Sequence, residues 1–260
     1  MNDSGMTETR IPDYVPGHGL LAGKTVLITA AAGSGIGSAT ARRCVEEGAT
    51  VMVSDRHGAR LAETASELGV ASAPCDVTDE DSVQALFDAA IEQLGHVDVL
   101  INNAGLGGTA EVHEMTDDQW ARVLDVTLNG TFRCTRAALN HMYERGSGVI
   151  VNNASVLGWR AQSGQAHYAA AKAGVMALTR CSGVEAAPRG VRVNGVAPSL
   201  AMHANLAKVT SDELLAELTS REAFGRAAEP WEVANVIVFL ASDYSSYMVG
   251  ETVSVSSQRA

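Results

Sequence analysis

Short apolar runs alternate with longer amphipathic stretches along nearly the whole chain of 260 residues. This alternation limits the fold more than any single motif. The runs "KTVLITA" (24–30), "TVMVSD" (50–55), "VASAPCDV" (70–77), "VDVLINNAG" (97–105), "GVIVNNAS" (148–155), "VRVNGVAP" (191–198) and "ETVSV" (251–255) read as strands. Between them, residues 35–49, 57–69, 79–95, 116–146, 165–187 and 230–242 read as helices. Gly48 and Gly69 stop the first two, Thr116 or Asp117 caps the fourth, and Pro230 suits the first turn of the last. Apolar strands separated by helices imply a parallel sheet covered on both faces. The expected fold is therefore α/β, a single Rossmann-type doubly wound sheet of about seven strands with helices on both faces. No internal repeat or linker divides residues 22–260, so they form one domain, and residues 1–21 read as a flexible arm rich in Pro, Gly and polar residues. Residues 199–226 exceed an ordinary connection and follow the sixth strand at its carboxyl end, where a substrate lid is expected.

Hydrophobic residues make up 46% of the chain, enough for a large core, and the net charge of −11 leaves no basic patch for nucleic acid or an anionic membrane. No apolar run approaches the ~18 residues of a membrane span. The four cysteines form no C-x-x-C pair, and the histidines lack metal-binding spacing. Reduced thiols, no metal and a cytoplasmic location follow as expectations.

"TAAAGSGIGSAT" (29–40) lies where the first strand turns into the first helix. Main-chain N–H groups and the helix dipole can meet a pyrophosphate there, and glycines let it approach. Asp55 ends the second strand, where a carboxylate can bind adenosine ribose hydroxyls. "INNAG" ends the fourth strand, at the switch point of such a sheet.

Three features together carry a resemblance. Asn102-Asn103-Ala104-Gly105 follows the glycine loop, Tyr168-x-x-x-Lys172 follows that, and Ser155 stands thirteen residues before the tyrosine. In this order they resemble the short-chain dehydrogenase/reductase family over roughly residues 22–254. The family's loop is T-G-x-x-x-G-x-G; here an extra residue intrudes and alanines replace the first glycine. The expected result is an altered turn, with Gly33 in the permissive conformation, Gly35 and Gly37 flanking the helix start, and Gly33-Ser34-Gly35-Ile36-Gly37 against the pyrophosphate. The resemblance further implies Asp76 and Val77 beside the adenine, and Asn103, Ala104, Gly105, Tyr168, Lys172, Pro198 and His203 around the rest of the cofactor. NAD is expected over NADP, because Asp55 repels a 2′-phosphate; the adjacent Arg56 is the one opposing charge.

The chemistry expected is hydride transfer between a secondary alcohol and a ketone, with Tyr168 as acid or base. A phenol near pKa ~10 needs help as a base, and Lys172, on the same helical face, is expected to favour its ionised form. Ser155 is expected to hold the substrate oxygen, with Trp159 and His167 near the pocket. In the family an asparagine seven residues after the helix tryptophan serves a proton relay; here that position is Thr127, and Asn129 should face away. Two departures stand out: Pro198-Ser199 replaces the family's Pro-Gly, with His203 at its threonine position, and the C-terminus reads "SVSSQRA". A looser resemblance to bacterial members from steroid-ring breakdown suggests a ring-derived acyl-CoA substrate, with Arg160, Lys208, Arg221 and Arg226 as candidate phosphate contacts among acidic neighbours such as Glu222. A fatty-acid-type 3-oxoacyl reductase and a non-catalytic NAD-binding sensor are the alternatives. The family also implies a homodimer or homotetramer.

Overall fold

The computed structural model describes residues 11–202 and 212–257. Seven strands, β1 (Thr25–Ile28), β2 (Thr50–Asp55), β3 (Ala71–Pro74), β4 (Val99–Asn102), β5 (Gly148–Asn153), β6 (Val191–Pro198) and β7 (Thr252–Val255), form one parallel sheet ordered β3-β2-β1-β4-β5-β6-β7. The order reverses between β1 and β4, the switch point at which a doubly wound sheet opens a crevice above its strand ends.

The near-continuous apolar strands are explained by burial on both faces. In β1, Val26 and Ile28 join one core while Leu27 joins the other; Val51 and Val53 part from Met52 in β2 in the same way, and Val99 and Ile101 from Leu100 in β4. Helices α1 (Ile36–Glu46), α2 (Gly58–Leu68) and α8 (Pro230–Ala241) cover the first face; α3 (Glu80–Leu94) and α5 (Gly130–Arg145) cover the second. The remaining helices are α4 (Asp117–Leu124), α6 (Ala166–Ala186) and α7 (Asp212–Ser220).

Local signals set the ends. Asp79 caps α3 by accepting from Asp81 N, and Thr116 and Gln119 form a reciprocal capping box on α4. The single long helix expected over residues 116–146 is instead broken: α4 and α5 are joined by a π-helical turn, Asp125–Asn129. Such a bulge inserts extra chain into a helix and commonly marks a functional position.

Residues 14–20 of the N-terminal segment are tied to the end of α1. Tyr14 donates to Glu46 Oε2 (2.5 Å), and His18 N and Leu20 N donate to Glu47 Oε2 (2.8 and 2.9 Å). Glu47 is fully buried and also pairs with Arg43 at 2.9 Å. Among the described residues, no helix is long and apolar enough to cross a membrane. Cys44, Cys75 and Cys134 are buried free thiols and Cys181 is an exposed one.

Candidate active site

The glycine loop departs from its neighbours in backbone as well as in sequence. Gly33 takes φ +91°, open only to glycine, and Ala30 takes φ +50°, the only left-handed non-glycine among the described residues. Ala30 directly follows Thr29, so an alanine holds a conformation usually given to glycine, at a cost of ~1–2 kcal/mol. Asn103 holds this turn in place: its Nδ2 donates to Thr29 O (3.2 Å) and Ala30 O (2.9 Å). Thr29 Oγ1 in turn accepts from Asn103 N (3.0 Å) and Ala104 N (3.2 Å).

The loop fits a dinucleotide in two ways. Gly35 is the N-cap of α1 without a side-chain cap, so the N–H groups of the helix start face outward. A Cβ added at Gly33 or Gly35 meets nothing within 4 Å, so both glycines border open space. Gly37 differs: a Cβ there would lie 2.5 Å from Ala30 O and 2.5 Å from Asn103 Nδ2. It lets α1 approach the turn rather than a ligand.

Asp55 ends β2 nearly buried, its carboxylate accepting from Ala32 N (3.4 Å) and His57 N (2.9 Å). Its place beside the loop is thus fixed by main-chain donors. Arg56 is exposed and shares a groove with Asp76, Thr78, Trp120 and Asn129. Bonds from Thr78 hold the Asp76 carboxyl below its ordinary range, with Arg56 adding a smaller effect. Val77 packs against Gly130, where a Cβ would lie 2.6 Å from Val77 Cγ2.

β4 and β5 carry twin segments, Asn102-Asn103-Ala104 and Asn152-Asn153-Ala154, in register through Asn102 and Asn152. The first asparagines pair inside the core, Asn102 Nδ2 donating to Asn152 Oδ1 (2.9 Å) and to Thr135 Oγ1 (3.0 Å). The second ones face the crevice. Asn153 Nδ2 donates to Asn103 Oδ1 (2.9 Å), and Lys172 Nζ donates to Asn153 O (2.5 Å). Residue-by-residue motif matching missed Asn153; the repeated "NNA" was its signal.

Ser155 follows β5 and caps a short 3-10 turn, Val156–Gly158, by accepting from Leu157 N. Tyr168 and Lys172 lie one turn apart on α6, and the Ser155 side chain stands near enough to the Tyr168 hydroxyl to lower its pKa. The three groups lie near one another, Ser155 just past the end of β5 and Tyr168 and Lys172 on α6. Burial raises the Tyr168 pKa, only partly offset by Ser155, and burial lowers that of Lys172 to about 8. The Lys172 ammonium stands 5.6 Å from the ring centroid and donates to Asn153 O.

Thr127 is fully buried within the π turn, and Asn129 is exposed and donates to Asp125 Oδ1. The two therefore point apart. Thr127 Oγ1 accepts from Leu106 N (3.0 Å) and donates to Leu106 O (3.2 Å), binding the loop after β4 rather than Lys172. Gly105 lies between them: a Cβ there would be 3.4 Å from Lys172 Nζ and 4.0 Å from Thr127 Oγ1. Trp159 is half exposed, while His167 is buried, its Nδ1 accepting from Tyr168 N (2.9 Å).

Pro198 ends β6 opposite Val255. His203 and Lys208 lie outside the described residues. Two of the cations considered for CoA phosphates have carboxylate partners: Arg226 makes a two-pronged pair with Glu232 (2.7 and 2.8 Å), and Arg221 pairs with Glu217. Arg226 is also mostly buried, which withdraws it from phosphate contact.

The comparisons with known proteins agree with this geometry. A family model described as Enoyl-(Acyl carrier protein) reductase matches residues 30–257. The chain is 61% identical to a Mycobacterium tuberculosis protein named (5R,7aS)-5-hydroxy-7a-methyl-1-oxo-2,3,5,6,7,7a-hexahydro-1H-indene-carboxyl-CoA reductase, over 95% of this chain and 97% of that one. It is 42% identical to the cis-4-hydroxycyclohexanecarboxylate dehydrogenase of Sinomonas cyclohexanicum, covering 88% of this chain and 94% of the relative. A crystal structure of a short chain dehydrogenase from Mycobacterium smegmatis superposes with TM-score 0.87 at 56% identity, covering 98% and 100% of the two chains.

Proposed function

The chain belongs to the short-chain dehydrogenase/reductase family, and from that premise we propose that it moves a hydride between NAD(H) and a ring hydroxyl or ketone of a bicyclic acyl-CoA thioester. It is an oxidoreductase of secondary alcohols and ketones. The convergence of Ser155, Tyr168 and Lys172 carries the reaction class, and the thioester named for the 61%-identical relative supports the substrate.

In this reading, Gly33 to Ile36 and the open start of α1 hold the pyrophosphate, and Asp76 and Val77 flank the adenine. The nicotinamide, when bound, supplies or accepts the hydride. Asn103, Ala104, Gly105, Lys172 and Pro198 line its half of the crevice. Ser155 and Tyr168 are neighbours, and a substrate oxygen placed between them would be held by both hydroxyls. Burial keeps the Tyr168 phenol protonated, which suits it to donate a proton to a ketone oxygen. Thr127 acts as a positioning residue through Leu106.

Asp55 supports NAD over NADP. Its carboxylate is held in place by Ala32 N and His57 N, where it can accept from a ribose hydroxyl and repel a phosphate. The free thiols suit a cytoplasmic location. Trp120 and Phe132, both exposed on α4 and α5, suit the face of a homodimer or homotetramer.

The test follows NADH consumption with the relative's indene-carboxyl-CoA ketone, the free acid of the same ring, and a linear 3-oxoacyl thioester. The reading expects the bicyclic thioester to give the highest kcat/KM, and NADH to exceed NADPH. Preference for the linear thioester would replace it with a fatty-acid-type reductase. Cofactor binding without turnover of any alcohol or ketone would mean a sensor.

A further inference from the structure

Ser199, in the unusual Pro198-Ser199 pair, and Ser257, in the unusual C-terminal run, both donate to one side chain. Glu222 lies just after α7 and is only 2% exposed. Its Oε2 accepts from Ser199 Oγ (3.2 Å) and Ser257 Oγ (2.8 Å), and its Oε1 from Leu200 N (3.4 Å). Main-chain bonds run beside it: Ala223 N donates to Ser257 O (2.8 Å) and Ser199 N to Val255 O (3.1 Å). A parallel bridge at Ala201 and Ala228 joins the same two stems, with Ala228 N donating to Leu200 O (2.8 Å).

We propose that Glu222 is a positioning residue for the substrate half of the site, a clasp that fixes residues 198–200 against the stem at 221–228 and the tail after β7. The proposal rests on the functional reading above, because β6 and β5 end side by side. Ala154 N donates to Val196 O (2.8 Å), so Ser155 and Pro198 leave the sheet at the same level. Whatever sets the path of Pro198 to Leu200 also shapes the wall facing Ser155.

The chemistry of the clasp explains why an acid serves there. Three donors on three separate segments converge, and one carboxylate offers enough lone pairs for all of them. An apolar side chain of the same size would leave the Leu200 N–H without its acceptor, and buried donors left so open toward water or move. A glutamine is different. Its carbonyl can take the Leu200 N–H, while its amide can donate to both serine hydroxyls, which rotate to accept. A clasp that works by position therefore tolerates Glu222→Gln and fails with Glu222→Leu.

The experiment compares wild type, Glu222→Gln and Glu222→Leu by melting, hydrogen exchange at residues 198–202, NADH affinity and steady-state kinetics with the ring ketone. For Glu222→Leu we expect exchange at 198–202 to rise at least about tenfold and KM for the ketone to rise about tenfold. NADH affinity should fall less than the ketone KM rises, because Pro198 alone of the clasped residues lines the nicotinamide half and the pyrophosphate and adenine contacts lie across the sheet. For Glu222→Gln all values should stay within about threefold of wild type. An unchanged ketone KM in a folded Glu222→Leu would overturn the proposal, and so would a Glu222→Gln as impaired as the leucine variant. If wild type reduces no ring ketone, the functional reading is what has failed. Exchange at 198–202 then judges the clasp alone, and equal protection in wild type and Glu222→Leu refutes it.

Discussion

Gly35 and Gly37 are two residues apart in one loop, yet adding the same methyl to each should have opposite consequences. At Gly37 the methyl meets Ala30 O at 2.5 Å, Asn103 Nδ2 at 2.5 Å and Ala31 Cα at 3.0 Å. Two of these atoms are main chain, and Asn103 is held by its own bonds, so none can swing away. Overpacking of this kind costs ~1–3 kcal/mol, and a strained Asn103 bond adds ~1. The better helix propensity of alanine returns up to ~1. The net loss for Gly37→Ala is about 2 kcal/mol, or a melting temperature lower by about 4–8 °C for a chain near this size. At Gly35 the methyl meets nothing within 4 Å, and φ −91°, ψ −167° is open to alanine. Gly35→Ala should melt at or slightly above wild type, by up to ~1 kcal/mol. Its defect should appear only with cofactor, since the methyl enters the space proposed for the pyrophosphate. A tenfold weaker NADH affinity removes ~1.4 kcal/mol of ligand stabilisation, a loss of about 3–6 °C in the NADH-induced shift. Melting curves with and without NADH read both numbers. If Gly35→Ala melts as low as Gly37→Ala, or keeps a full NADH shift, the division of labour in the loop is wrong.

Three further outcomes follow from the site. Tyr168→Phe should lower kcat by ~10²–10⁴-fold with NADH affinity unchanged, and substantial turnover would remove the phenol from the reaction. In the ketone-reducing direction, kcat/KM should hold below pH 8 and fall above it. Burial sets Lys172 at about 8, so its positive charge is present on the acid side and lost on the alkaline side; a profile flat to high pH contradicts this assignment. Thr127→Val leaves Leu106 N–H without its acceptor, at ~1–3 kcal/mol, and should slow turnover more than Asn129→Ala; the reverse ranking would show that the π turn is misread.

The sheet was legible because its inner strands, β1, β2, β4 and β6, are buried on both faces. Residues such as Val26, Leu27 and Ile28 are therefore apolar without a break, and the run length alone marks the strand. The triad was legible for a different reason: Tyr168 and Lys172 share a helix, so their spacing fixes their geometry. Contacts between segments distant in sequence were not. Nothing near Gly130 announces that Val77 packs on it, and nothing near Thr64 announces that its Oγ1 accepts from Gly33 N (3.1 Å). The helix over residues 116–146 shows how local pattern can mislead. Its periodicity runs on without a Gly or Pro break before Asn129, and the π turn arises where Thr127 turns inward to Leu106. The burial of the tyrosine and lysine was not legible for a related reason. Spacing brings a cation near a phenol but does not give the depth of burial, and here burial dominates both groups.

The extra residue in the glycine loop raises the question of how the helix start survives it. An insertion in a tight βα turn should push α1 out of place. Here the turn is anchored at both ends. Thr29 is bonded to Asn103 N and Ala104 N through its hydroxyl, and Asn103 Nδ2 grips Thr29 O and Ala30 O. Downstream, Gly37 lets α1 pack directly on that gripped carbonyl. The surplus length is left to residues 31–34, where Gly33 at φ +91° lets the chain reverse and bonds out to Thr64 on α2. The cost falls on Ala30, held at φ +50° by Asn103. Gly35 and the first N–H groups of α1, which would meet a pyrophosphate, are thus placed against Asn103 through Gly37. Asn103 anchors the turn from β4, so the strand at the switch point, rather than the glycine spacing, fixes the cofactor end of the site.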